Sequence, residues 1–531
     1  MAKPIALTRK SWLALAASGA ALAIASPAAA KDCGEVAKLA LDKGTVTAAT
    51  LVEAGAFQAP AGFGPPPGIA NTAYKNVPAF CRVQATLTPT ADSDIKVEVW
   101  LPASGWNGKL VGIGNGVWAG SISYSEMAPT LAQGYAVVAT DTGHKGTGLT
   151  AEWAVGHPEK LVDFGYRAIH LMTVTAKAAI KDYYGNGPKL SLWNSCSTGG
   201  RQGLMLAARF PDDYDAISSK APANPMTDLM TQSMWMATAA NMAGSTRLTP
   251  ALLGMVHKAV VAKCDALDGL KDGLIGNPQA CTFKAASLVC KPGQAEGCLN
   301  ADQAKAVQAF YDGVTDKNGK KILPGWPVGS ETQLATLIMG KDPFPVANDY
   351  FRLLVHGNDK AWDWKTMDYG QETQIARAYG AEMLNVAPGD LKAFFAKGGK
   401  LLLSHGWTDG LIPATNTVQF YGGLQKVTPK TALEKQVRLF MVPGMDHCGG
   451  GEGASNYDTL GTIDAWASGG PAPETILATR GGAGAGGPPG APAPARAPIS
   501  RPLCPFPKIA TYKGKGDEAD AASFSCAAPK K

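Results

Sequence analysis

Lys189 to Gly200 reads KLSLWNSCSTGG and runs directly into RQGLMLAARF. A short apolar segment, a cluster of small residues and then apolar residues at helical spacing predict a strand over Lys189–Trp193, a tight turn, and a helix over Gly199–Phe210. Ser197 stands at the turn, in the pattern Ser195-Cys196-Ser197-Thr198-Gly199-Gly200. Small residues are needed on both sides of a strained strand-to-helix turn, because the two backbones pass close together there. The pentapeptide G-x-S-x-G makes such a turn, and here Ser195 takes the place of its first Gly. A hydroxyl presented this way projects above a sheet, and the next backbone N–H, that of Thr198, can stabilise an oxyanion. An ordinary Ser/Gly turn would carry the same residues, so the pentapeptide alone leaves both readings open.

Around this stretch, strand-like and helix-like segments alternate from Ile95 to about Lys220. Lys96–Leu101, Lys109–Ile113, Ala136–Thr140 and Asp215–Ser219 are short, apolar and bounded by turn residues, and Leu161–Ile180 carries a helical apolar period. Strands recur at Lys400–Ser404 and Gln436–Val442. Such alternation predicts an α/β fold, a doubly wound sheet covered on both faces. Residues 31–220 form its first part and 398–531 its second. Residues 221–397 break the rhythm, with Trp235, Trp362 and Trp364, four cysteines and long loops, and read as an insertion lying over the sheet between strands. Those tryptophans are candidates for contact with a bound ring, although Trp more often fills a core. Gly481 to Ala495 is low-complexity Gly/Pro/Ala and cannot bury a core.

At 531 residues the chain is long enough for one large domain with insertions, or for two to three domains. A composition of 46% hydrophobic and 17% charged residues excludes a mostly disordered chain. The net charge of +6 is small and scattered, which argues against a nucleic-acid partner. Lys3, Arg9 and Lys10 precede an apolar run from Trp12 to Ala25 and the small residues Ala28-Ala29-Ala30. Residues 1–30 therefore read as a cleaved secretory signal, too short to span a membrane, and the mature chain as periplasmic or secreted with no membrane partner. All ten cysteines lie beyond that point. An even count in an oxidising compartment predicts five disulfides, and no Cys/His spacing suits zinc.

A base and an orienting acid for Ser197 are sought downstream. Among seven histidines, His405 and His447 lie in strand-end loops beyond the insertion. His447 sits in Val442-Pro443-Gly444-Met445-Asp446-His447-Cys448, a loop suited to carrying a base. Asp409, after the strand KLLLS, is preferred as the acid over Asp446, whose adjacency to His447 hinders reach to that ring's Nδ1. His405 reads as structural or pocket-lining. Cys196 precedes Ser197 and Cys448 follows His447. If those two are bonded, their Cα atoms lie within roughly 4.4–6.8 Å, and Ser197 and His447 are tied into the proximity that proton transfer requires. Gly112–Gly120 (GIGNGVWAG) follows a strand and lacks dinucleotide-loop spacing. Cys264 to Ile275 (CDALDGLKDGLI) crowds Asp265, Asp268 and Asp272 between glycines. Hard oxygen donors on a turning loop suit Ca²⁺, though the closing Glu of an EF-hand is absent and an acidic surface turn reads the same way.

The Cys-Ser…Asp…His-Cys arrangement resembles the tannase and feruloyl esterase family of α/β-hydrolases, which also includes mono(2-hydroxyethyl) terephthalate hydrolase. The similarity extends to GYAVVATDTGHK (134–145), NSCSTGGRQ (194–202), the 264–275 loop, Pro443–Gly449 and Leu503–Cys526. The resemblance implies Ser197 as nucleophile, Asp409 as acid, His447 as base and Cys196–Cys448 as tether. It also implies a structural Ca²⁺ in the insertion, held by Asp265, Asp268, Asp272 and the carbonyls of Leu270 and Leu274. Local disulfides Cys264–Cys281 and Cys290–Cys298 are expected around it, with Cys33–Cys81 and Cys504–Cys526 completing the set. The implied activity is a secreted serine esterase acting on esters of small aromatic acids, the insertion serving as a lid. Terephthalate half-esters, or a non-catalytic Ca²⁺-dependent binding role on the same fold, are the alternatives. Ser195 for Gly, and Val117 where the family commonly has a second Gly, are the departures; the resemblance implies a second oxyanion N–H in this loop, that of Gly116 with Val117 close behind.

Overall fold

In the computed structural model, ten strands make one sheet. Met1 and residues 30–60, 74–244, 247–340, 342–481 and 497–529 are described. Most of the signal segment (2–29) and of the Gly/Pro/Ala stretch (482–496) lies outside the described residues. The strands are β1 (Ala40–Leu41), β2 (Gly44–Val52), β3 (Phe80–Leu87), β4 (Ile95–Pro102), β5 (Lys109–Gly112), β6 (Ala136–Thr140), β7 (Leu190–Cys196), β8 (Ala216–Lys220), β9 (Lys400–Gly406) and β10 (Val437–Val442). Their spatial order is β1-β2-β3-β4-β6-β5-β7-β8-β9-β10. From β6 to β10 all neighbours run parallel, while β1 to β4 form an antiparallel extension that joins through β4–β6.

The parallel strands are largely apolar and buried, as cover on both faces requires; β6, AVVAT, is buried at every position. One face carries α1 (Tyr124–Ala132) and α6 (Thr459–Ala467), which bury Met127, Leu131, Ile463 and Trp466 against it. The other carries α2 (Ala168–Tyr184) and α3 (Thr198–Arg209), with Ile169, Met172, Leu204 and Leu206 inside. This is the α/β-hydrolase architecture. Between β8 and β9 the chain adds no strand to the sheet. It is mainly helical, including α4 (Met226–Asn241) and α5 (Pro250–Cys264), around a separate core of Met234, Phe310, Trp326 and Tyr350.

Two sequence expectations are corrected. The strand expected to end at Trp193 runs on to Cys196, so Asn194, Ser195 and Cys196 belong to the sheet; Asn194, Ser195 and Cys196 pair with Ser218, Ser219 and Lys220. The helix expected over Leu161–Ile180 is interrupted by a π turn at Asp163–Arg167, where Arg167 bonds Asp163 and Glu159. The antiparallel strands β1–β3 were not anticipated: β1 and β2 carry little alternation, whereas β3, FCRVQATL, alternates in burial and could have been recognised.

Candidate active site

The parallel strands all end on one edge of the sheet, the edge where such folds place ligands. Ser197 follows β7, Asp409 lies in the loop after β9, His447 in the loop after β10, and Gly116 in the loop after β5. Ser197 adopts φ 64°, ψ −126°, a left-handed conformation that non-glycine residues rarely hold. Its N–H donates to Lys220 O (3.0 Å), and its C=O accepts from Ala223 N (3.1 Å). Glycines permit this crowding. A Cβ on Gly199 would stand 2.1 Å from Ser195 Oγ, and one on Gly200 would stand 2.5 Å from Lys220 O. The Ser195 side chain thus fits because Gly199 has none, and its Oγ accepts from Gly114 N (3.2 Å).

His447 Nε2 lies 3.0 Å from Ser197 Oγ, and its Nδ1 lies 2.8 Å from Asp409 Oδ2. The network assigns the tautomer: Nδ1–H donates to Asp409, leaving Nε2 to accept from the serine hydroxyl. Asp446, the rival acid, instead accepts from Thr408 Oγ1 (2.9 Å). Asp409 is fully buried, and its Oδ1 accepts from both Leu411 N and Ile412 N (2.9 Å each). Burial alone would raise its pKa, but the charge of His447 and hydrogen bonds from His405 and His447 hold the carboxyl well below the usual carboxylate range. Burial opposes charge on His447 as well, yet Asp409 prevails and raises the imidazole above its ordinary value.

Sequence reasoning missed the role of His405. Fully buried on β9, it presents Nε2 to Asp409 Oδ2 (3.0 Å) and Ile412 O (3.2 Å), while Nδ1 accepts from Thr417 Oγ1 (2.7 Å). One carboxylate oxygen therefore serves two imidazoles. The loop after β5 is braced to the serine turn. Gly199 N donates to Asn115 O (2.8 Å), Asn115 N to Gln202 Oε1 (3.0 Å), and Thr198 Oγ1 to Val117 O (2.7 Å). Neither Gly116 N nor Val117 N has an acceptor among the described residues. Asn115, Gly116, Val117, Ser197, Thr198 and His447 line one cavity of ≈ 330 Å³. Its apolar wall comes from the segment between β8 and β9, with Met226, Leu229, Met230, Phe344 and Val346. Trp235, Trp362 and Trp364 do not line it.

All ten cysteines are paired: Cys33–Cys81, Cys196–Cys448, Cys264–Cys281, Cys290–Cys298 and Cys504–Cys526. The Cys196–Cys448 Cα atoms lie 5.9 Å apart and couple the end of β7 to the loop after β10, 252 residues away in sequence.

The acidic loop is built around its own amides. Asp265 accepts from Asp272 N and Gly273 N, Asp268 from Leu270 N, and Asp272 from Leu274 N. Asp272 also pairs with Arg501 (2.7 Å). Burial, with the charges of Asp272 and Asp265 added, pushes Asp268 up to about 7. Among the described residues no three acidic, His or Cys side chains stand as a ready metal cage. The donor chemistry is nevertheless that of a hard cation: three carboxylates share one turn, and Asp268 has no cationic partner among the described residues. Remote in sequence from the serine, the loop is near its base in space. Leu274 packs so closely that a Cβ on Gly444 would meet it at 2.7 Å.

The family model for tannase and feruloyl esterase matches residues 81–527. An uncharacterized esterase of Xanthomonas campestris pv. campestris is 32% identical, covering 96% of this chain and 93% of its own. A probable feruloyl esterase B-2 of Aspergillus terreus is 33% identical over 84% of this chain and 86% of its own. The crystal structure of feruloyl esterase B from Aspergillus oryzae superposes with a TM-score of 0.82 at 29% identity, covering 93% of this chain and 99% of that one. Sequence and fold agree over nearly the whole length, and the chain is an esterase belonging to the tannase and feruloyl esterase family.

Proposed function

We propose that this esterase works through a Ser197–His447–Asp409 triad and an acyl-enzyme, on esters of small aromatic acids. The observation that carries this is the continuous hydrogen-bonded line from Ser197 Oγ through His447 to Asp409, at 3.0 and 2.8 Å, inside an apolar cavity. Ser197 Oγ attacks the ester carbonyl while His447 Nε2 takes its proton, and Asp409 stabilises the imidazolium. The N–H groups of Thr198 and of Gly116, with Val117 beside it, hold the developing oxyanion. Collapse of the tetrahedral adduct expels the alcohol, which takes the proton from His447. Water, deprotonated by the same nitrogen, then releases the acid and regenerates Ser197.

The helical segment between β8 and β9 serves as a lid whose Met, Leu and Phe side chains hold the aromatic acyl group. Asp265, Asp268, Asp272 and the carbonyls of Leu270 and Leu274 would hold a calcium ion in the 264–275 loop. When bound it supplies charge neutralisation to that turn and takes no part in the chemical steps. The chain is exported, residues 1–30 being removed; complete pairing of its cysteines fits an oxidising compartment. N-terminal sequencing of secreted protein should begin at Lys31.

A hydrolysis panel of methyl ferulate, methyl gallate and mono(2-hydroxyethyl) terephthalate tests the reading, together with labelling by a serine-directed phosphonate. Turnover of at least one aromatic ester, with label and turnover both lost in Ser197→Ala, is the expected result. Retention of either in that variant would sink the triad, and inertness toward the whole panel would sink the substrate class.

A further inference from the structure

The cavity around Ser197 has a second wall that the reaction above does not use. Cys196 and Lys220 are paired in register at the ends of β7 and β8, so their side chains leave the sheet on the same face. Asn194, two residues earlier on β7, points to that face too, since it accepts from Thr459 of α6 (2.9 Å). This is the face that α1 covers. Glu126, in the first turn of α1, lines the cavity alongside Cys196, Cys448, Ser197 and His447. Its carboxylate makes no hydrogen bond or direct ion pair among the described residues.

Glu126 is exposed to solvent and stands where the cavity opens to water, so its carboxylate is accessible to a bound molecule. Lys220 is near enough to favour its charged form without forming a contact pair. With no protein partner, that carboxylate has its lone pairs available to accept from a hydroxyl of a bound molecule. The two walls differ in chemistry. The lid side is apolar and suits an aromatic ring. The Glu126 side adjoins the Cys196–Cys448 bridge and hence His447, which must hand its proton to the departing oxygen.

We propose that Glu126 is a specificity-determining residue for the leaving alcohol: its carboxylate accepts a hydrogen bond from an alcohol carrying a free hydroxyl and repels one carrying a carboxylate. This rests on the triad reading above, because that reading decides which side of the cavity the alcohol occupies.

The test compares ethyl, 2-hydroxyethyl and carboxymethyl esters of one aromatic acid, with kcat and KM separated. In the wild type, kcat/KM for the 2-hydroxyethyl ester should exceed that for the carboxymethyl ester by about tenfold or more, the scale of one charge-assisted hydrogen bond. Glu126→Gln and Glu126→Ala should shrink that ratio to about twofold, mainly through KM, and Glu126→Lys should reverse the preference. A ratio unchanged in all three variants would overturn the proposal. The two readings fail separately: a wild type that cleaves the ethyl ester only while Ser197 is present upholds the triad whatever the ratios do. A wild type inactive on all three esters overturns both.

Discussion

Ser197 is held at φ 64° by hydrogen bonds on both sides of its peptide unit and by neighbours lacking side chains. Gly199→Ala should therefore disable the site without touching a reacting atom, since its Cβ would fall on Ser195 Oγ; turnover and near-UV circular dichroism report this. Ser197→Ala should lower kcat by a factor on the order of 10⁴–10⁶, and Asp409→Asn by about 10⁴ through loss of tautomer control. The pH profile carries a sharper signature. His447 must be neutral to act as a base, and Asp409 raises its pKa. The acid limb of kcat/KM should lie above the ordinary histidine value of about 6.5 and move down in Asp409→Asn. His405 shares the same carboxylate oxygen, so His405→Phe should lower kcat with little change in KM; an unchanged kcat would make it a core residue only. Ser197, Asp409 and His447 could be proposed from the sequence because chemistry-bearing residues stood among glycines just after apolar strands, and the fold brings the three within hydrogen-bond reach. His405 was not, because a histidine at the end of a strand reads the same whether it bonds a core threonine or a catalytic carboxylate.

At the scale of elements, the base-bearing loop is held by two devices. One is the Cys196–Cys448 bridge, whose removal should cost roughly 5 kcal/mol of stability in the chain-entropy view. Replacing both cysteines by Ser should reduce kcat more than KM, since the lipophilic wall stays while the Ser197–His447 distance is released. The other is His257 on α5, which donates to Glu331 (2.9 Å) and reaches Glu452 (3.4 Å) in the segment following His447. Burial disfavours its charge, but the two carboxylates overcome that and push it up to about 9. A raised folded-state pKa means this contribution is complete below about 6.5 and is lost as pH rises through about 9. The unfolding temperature of the wild type should fall over that window, and His257→Gln should flatten the dependence. Neither Glu331 nor Glu452 was recognisable beforehand, for the contact joins three segments far apart in the chain.

For the whole molecule, the acidic loop offers a test that needs no activity. Asp268 has a raised pKa, so without a bound cation its contribution to stability should be present below about 3.8 and lost as pH rises through about 7. Added calcium should raise the unfolding temperature at neutral pH, a chelator should lower it, and Asp268→Asn should be insensitive to both. An unfolding temperature indifferent to calcium would remove the metal from the account. The alternation of apolar strands and amphipathic helices, the Ser197 turn and the even cysteine count lie in the linear chain because they are local: periodicity, small residues and composition survive without a partner. What joins one carboxylate to two imidazoles, sets Glu126 beside the bridge and brings Leu274 against Gly444 depends on contacts between remote segments. Only the packed sheet decides those, because burial and distance are properties of the fold, and they set each group's charge and reach.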